Sequence, residues 1–227
     1  SAASDVYKRQ MQAQALGKAL EKAGLKPEDL DIVLAGDLLN QCIGTSFCLR
    51  DFAVPFYGLY GACSTMGESL SLAALLIDGG FSQTAAAMTS SHYCTAERQY
   101  RMPVPYGNQR PPTAQWTATA SGCTILGREG PGPYVTHVTR GKIVDKGIAD
   151  ANNMGAAMAP AAYNTLSAFF RETKTSPKDF DRIFTGDLGE LGHSIVLDWF
   201  RQDGVDLSAN YFDCGLLLYD REKQDMH

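Results

Sequence analysis

Apolar residues along the chain recur in two patterns, helical spacing and short continuous runs, and together they predict helices alternating with buried strands. Met11 to Gly24 places Ala13, Leu16, Leu20 and Ala23 on one side of a helix that Gly24 stops. The turn KPEDL follows, then a buried strand at Asp31 to Ala35 ended by Gly36-Asp37. A helix is expected over Thr45 to Phe52 and a strand over Val54 to Tyr60. Further on, Thr84 to Met88 reads as a strand running into Thr89-Ser90-Ser91-His92, polar residues at a place where α/β proteins set ligand groups. Thr117 to Leu126 reads as a strand whose Gly122 suggests a close backbone approach. Tyr134 to Val144 alternates as a half-exposed strand would, Asp145 to Asn153 is a polar loop, and Gly155 to Glu172 is a long helix with an alanine-rich start.

The most informative stretch is Pro55 to Phe81, where an apolar strand ends at Cys63 and a helix begins at once. Thr65 and Glu68 have the spacing of a capping box. Leu70, Ala73, Ala74 and Ile77 follow at helical spacing, and Gly79-Gly80 ends the run as a C-cap. Cys63 is therefore expected at a helix N-terminus, where the dipole favours negative charge. A reactive residue in a strand-to-helix corner has the geometry of a nucleophile elbow, although a cysteine is also a small, readily buried apolar residue.

Composition narrows the class. Apolar content of 44% with 20% charged residues describes an ordinary globular protein, and a net charge of −5 gives no reason to expect nucleic-acid binding. No apolar run is long enough to span a bilayer, and no secretory leader is read in SAASDVYKRQ, so the thiols are expected to stay reduced. The six cysteines form no C-x-x-C pair and the four histidines stand apart from them, which argues against a zinc site; no metal and no cofactor is expected. From Tyr93 to Pro112 the regular pattern lapses into a loop with four prolines, in which Arg98, Arg101 and Arg110 face only Glu97. That loop suits an anion-binding lid, or its arginines form surface ion pairs.

A repeat ties the two ends of the chain together. KPEDLDIVLAGDLLNQ at Lys26 to Gln41 is echoed by SPKDFDRIFTGDLGEL at Ser176 to Leu191, 150 residues later, with Pro27, Asp29, Asp31 and Gly36-Asp37-Leu38 matched in turn. Each copy follows a helix and contains a strand, which implies duplicated α/β halves. The first is expected over residues 1–150, with the Cys63 elbow and the 93–112 loop, and a partial second half over 151–227.

Duplicated halves with a cysteine elbow, followed by the small-residue strand ASGCTIL at 120–126, resemble the thiolase-like superfamily of thiolases and β-ketoacyl synthases. AGDLLNQ at 35–41, YGACSTM at 60–66, ALLIDGGF at 74–81, SSHYCTAERQYR at 90–101, MGAAMAPAA at 154–162, TGDLGELG at 185–192 and DCGLLLYD at 213–220 more closely resemble the stage V sporulation protein AD family of spore-forming Firmicutes. The resemblance implies an α/β fold of thiolase-like duplicated halves in αβαβα layers. Against the family pattern, an N-terminal segment and a C-terminal glycine-rich strand region are expected to be missing. It further implies binding of dipicolinic acid, pyridine-2,6-dicarboxylate, with or without calcium, for uptake into the developing spore. The expected place is the cytoplasmic side of the spore inner membrane, peripherally, with the SpoVA membrane proteins as partners. A homodimer, paired through Thr84 to Met88, is also implied.

Condensing enzymes of this fold need a histidine after the first strand of the second half, and here Asp187 stands at that place, with His193 six residues on. An aspartate there would repel a thiolate and an oxyanion alike, so catalysis is not the leading expectation. The ligand-binding candidates are Cys63, His92, Arg98, Arg101, Asp37 and Asp187, with Asp37 orienting a donor or capping a helix. The alternatives are an acyltransferase or condensing enzyme with Cys63 as nucleophile, and a scaffold for the SpoVA proteins.

Overall fold

The computed structural model describes residues 2–38, 42–92, 118–150 and 152–224, with side chains from Arg9 onward. They divide into two units, residues 2–92 with 118–136, and residues 137–224.

The first unit runs α1 (Ala2–Ala23), β1 (Ile32–Asp37), α2 (Ile43–Leu49), β2 (Phe56–Leu59), α3 (Thr65–Asp78), β3 (Thr84–Ser91) and β4 (Ala120–Gly127). Its sheet has the order β2-β1-β3-β4, with β1 parallel to both neighbours and β4 antiparallel to β3. All six residues of β1 are buried, which is why the sequence there is a continuous apolar run rather than an alternation. Val33 and Ala35 pack with Leu16 and Leu20 of α1, Leu49 of α2 and Met88 of β3. Ile32 and Leu34 pack with Leu59, Ala73 and Ile77. Helices therefore cover both faces, and Ala85, Ala86 and Ala87 keep β3 thin enough for them.

Two contacts set how β1 meets its neighbours. At its start the Asp31 carboxylate accepts from the Gln83 N–H at 2.6 Å and the Thr84 N–H at 3.0 Å, which fixes the entry to β3 and holds the Asp31 carboxyl below its usual range. At its end Gly36 lies so close to β2 that a Cβ would overlap the Leu59 carbonyl oxygen and crowd the Thr65 methyl. Only glycine fits at that point of the ladder.

The second unit runs α4 (Met154–Thr173), β5 (Ile183–Thr185), α5 (Gly189–Gln202), β6 (Tyr211–Asp213) and α6 (Cys214–Leu218), with β5 parallel to β6. Its core holds Ala159, Phe170, Ile183, Leu188, Val196, Phe200, Leu207 and Tyr211. The start of α4 and the first turn of α5 touch backbone to backbone at Gly155 and Gly192, where a Cβ on either residue would collide with the other element.

The sequence repeat is a structural one. A 3-10 turn, Pro27–Asp29 or Pro177–Asp179, precedes β1 and β5 in turn. In both turns the aspartate accepts the N–H of the residue before the proline, three positions back: Lys26 N–H to Asp29 and Ser176 N–H to Asp179, each at 2.7 Å.

Five expectations change. Gly122, read as marking a close backbone approach, has open space where a Cβ would stand. Helix α2 is Ile43–Leu49 rather than Thr45 to Phe52, because Asp37 anchors its first turn and Ala53 takes a left-handed φ of 52° beyond its end. Tyr134 to Val144 forms no strand: its alternation finds no ladder partner, and Tyr134 and Ile143 are 72% and 97% exposed. The capping box at Thr65 does not form, since Ser64 is the N-cap and the Thr65 hydroxyl donates to the Ala62 carbonyl at 2.8 Å. Finally, β3 has β1 on one side and β4 on the other, so Thr84 to Met88 has no free edge with which to pair a second copy. The loop at Tyr93 to Pro112 lies outside the described residues. The C-cap at Gly79-Gly80 is as read, with Gly80 at φ 77° and the Phe81 N–H donating to Leu76.

Gly36→Ala is expected to lower stability by about 3 kcal/mol or more, because neither neighbouring backbone can retreat from the added methyl. Gly67→Ala, at an open position in α3, should instead raise it by roughly 0.5–1 kcal/mol. Urea unfolding followed by circular dichroism measures both.

Candidate functional site

In the first unit the parallel strands β1, β2 and β3 end at one edge of the sheet, the edge at which open α/β sheets bind ligands. Asp37 is the last residue of β1 and sits in register with Ser90 of β3, two residues before His92. Cys63 follows β2 within a 3-10 turn, Ala62–Ser64, at the N-terminus of α3. Sequence-predicted Cys63, His92 and Asp37 thus share this edge, whereas Arg98 and Arg101 lie outside the described residues.

Each has a different environment. The Cys63 corner is tight: Ala62 holds a left-handed φ of 48°, and the Ser64 hydroxyl donates to the Gly61 carbonyl at 2.7 Å. Ser64 accordingly makes no side-chain cap to α3, and Cys63 itself is exposed. His92 is buried at 9% exposure. Asp37 is 1% exposed and takes two hydrogen bonds from Thr45, 2.8 Å from its N–H and 2.5 Å from its hydroxyl. It therefore caps α2 from a neighbouring strand, one of the two roles read for it. The Thr45 hydroxyl has a single proton and gives it to Asp37, so Gln12 must donate to Thr45 through Nε2, at 2.8 Å. Sequence reasoning missed Gln12, Thr45 and Cys42, and only a polar residue inside the apolar face of α1 hinted at the first.

In the second unit Asp187 follows β5. Its carboxylate packs against Gly215, and burial, with the nearby Asp213 charge, pushes its carboxyl up to about 6. Asp213 ends β6 and organises both helix starts: one oxygen takes the Leu188 N–H at 2.8 Å, the other the Gly215 and Leu216 N–H groups at 3.0 and 3.3 Å. Asp213 was overlooked, yet its segment YFDCG repeats the strand, corner and cysteine order of the Cys63 region. His193 lies on α5, stacked on Tyr211 at 4.6 Å between ring centres.

Among the described cysteines, burial pushes the Cys123 thiol up to about 12 and the Cys48 thiol to about 11, leaving both unreactive near neutrality. Cys63 and Cys214 are exposed. Among the described residues no group of three histidine, cysteine or acidic side chains could hold a metal ion, and no helix is long and apolar enough to cross a membrane.

Solved structures place this architecture. The chain superposes on OleA of Xanthomonas campestris with bound lauric acid and lauroyl-CoA at a TM-score of 0.67, with 14% identity over 90% of this chain and 67% of that one. A priming β-ketosynthase of a polyketide pathway gives 0.64, with 13% identity over 96% of this chain and 68% of that one. The 3-oxoacyl-[acyl-carrier-protein] synthase III of Aquifex aeolicus gives 0.60, with 12% identity over 90% and 68%. The fold is that of the thiolase-like condensing enzymes. Within it the chain belongs to the stage V sporulation protein AD family, whose model matches residues 3–227. It is 42% identical over 220 residues to the stage V sporulation protein AD of Bacillus subtilis (strain 168), covering 97% of this chain and 65% of that protein's length.

The Asp187 carboxyl supplies a pH test. Its folded value is raised above the ordinary 3.8, so between those two values the folded chain keeps a proton that the unfolded chain has released. Stability is therefore expected to fall as pH rises from about 4 to about 6. In Asp187→Asn that loss disappears, and the melting temperature of the variant should gain on the parent across the same window and stay above it at pH 7.

Proposed function

We propose that this chain binds dipicolinic acid without catalysing acyl transfer, serving uptake of the ligand into the developing spore beside the SpoVA membrane proteins. Family membership supports the sporulation role, and the sheet edge supports a site for an anion. An exposed corner at the N-terminus of the 14-residue α3, with buried His92 past the end of β3 at the same sheet edge, offers donors to a carboxylate. Arg98 and Arg101 are proposed to meet the second carboxylate. Each hydrogen bond to a charged group contributes about 1.5–3 kcal/mol, so a few suffice for micromolar binding of a small dianion.

The observation that carries the non-catalytic half of the reading is the acid after β5. Where condensing enzymes of this fold carry a histidine that stabilises an oxyanion, this chain has Asp187 beside Asp213. Two nearby carboxylates repel a developing negative charge. The second reading, an acyltransferase with Cys63 as nucleophile, is kept open by the exposure of that thiol at a helix N-terminus.

Calorimetric titration should show saturable binding of dipicolinic acid, weaker binding of isophthalic acid, which lacks the ring nitrogen, and about tenfold or greater weakening in His92→Ala and Arg101→Ala. Incubation with acyl-CoA should leave no thioester on Cys63. A stable Cys63 thioester in the mass spectrum would move the assignment to the acyltransferase.

A further inference from the structure

The end of β1 touches the Cys63 corner from two sides, and the two contacts converge on one carbonyl group. On one face Gly36 lets the Leu59 carbonyl approach. On the other, Asp37 holds the first turn of α2 through Thr45, and Thr45 is held in turn by Gln12 of α1. All three side chains are buried, at 0% exposure for Gln12 and Thr45 and 1% for Asp37. Cys42, the N-cap of α2, contributes no cap of its own; its thiol donates instead to the Leu59 carbonyl oxygen at 2.9 Å. To do so it takes a left-handed conformation, φ 54° and ψ 38°, which costs a residue with a side chain about 1–2 kcal/mol. Such strain persists only where surrounding structure imposes it, and the Asp37 cap together with the 2.9 Å bond from the Ser46 hydroxyl to the Cys42 carbonyl does so here.

We infer that Gln12, Thr45, Asp37 and Cys42 form a positioning relay that fixes the Leu59 carbonyl and thereby aims the turn carrying Cys63. Leu59 ends β2, and only Tyr60, Gly61 and Ala62 separate it from Cys63. The Ala62 left-handed turn leaves that short span little freedom once its root is held. None of the four relay residues needs to touch a ligand. The inference concerns the corner used in the proposed function, but its readout needs no dipicolinic acid, so either can fail alone.

The readout is the rate at which iodoacetamide alkylates Cys63, followed by peptide mass spectrometry with exposed Cys214 of the second unit as the internal reference. Thr45→Val keeps the shape of the side chain and removes the hydroxyl. It is expected to lower the Cys63 to Cys214 rate ratio about threefold or more, while Thr45→Ser restores it. Cys42→Ala leaves the Asp37 and Thr45 groups in place, removes the thiol bond to Leu59, and should lower the ratio similarly. A ratio at the parent value in both Thr45→Val and Cys42→Ala would overturn the relay. So would a ratio that rises instead, since loosening of the first unit frees the corner rather than misaiming it. Should Thr45→Val fail to fold, Cys42→Ala decides alone.

Discussion

The close approach of β1 to the end of β2 at Gly36 is the constraint on which the candidate edge of the first unit depends. A side chain there would overlap the Leu59 carbonyl and the Thr65 methyl, so the strand, the corner and the first turn of α3 can close only on a bare α-carbon. One residue later the same strand delivers Asp37 to the opposite face, where it replaces the cap that Cys42 does not provide. Two consecutive residues with opposite orientations thus settle the geometry of α2 and α3 together.

The family relationship and the fold draw on different features of the chain. The fold matches condensing enzymes and ketosynthases, yet the acids described at the strand ends serve largely as helix caps. Asp37 and Asp187 occupy the same place in the two copies of the repeat, and their surroundings differ in one respect. Both take a backbone N–H from the helix that follows, Thr45 for Asp37 and Gly189 for Asp187, but Asp37 adds the Thr45 hydroxyl whereas Asp187 has the Asp213 charge nearby. The motif Gly-Asp-Leu therefore carries no chemistry by itself; the element packed over it decides.

Much of this was legible in the sequence, for physical reasons. Buried parallel strands such as β1 require continuous apolar runs, α3 required its periodic Leu70, Ala73 and Ile77, and the Gly79-Gly80 stop has one simple conformation available to it. The 150-residue repeat was visible because its Pro-x-Asp turn is closed by its own side chain. What was not legible was tertiary. Tyr134 to Val144 alternates like a strand, but alternation cannot show whether a partner edge exists. Thr65 and Glu68 have capping spacing, but the tight turn at Ala62 gave the Thr65 hydroxyl a nearer acceptor. Thr45, 33 residues from Gln12 and eight from Asp37, carries no local signature of either bond.

The paired Pro-x-Asp turns also bear on the order of folding. Each turn closes within four residues, between the N–H of Lys26 or Ser176 and the aspartate three positions on, so it needs no distant part of the chain. The parallel pairings of β1 with β2 and β3, and of β5 with β6, join segments more than 20 residues apart and carry the larger loop-closure cost. Both strands thus leave a turn that can form first, and the slow search is reduced to docking an already directed segment. The repeat has in this sense copied a local turn along with a shape.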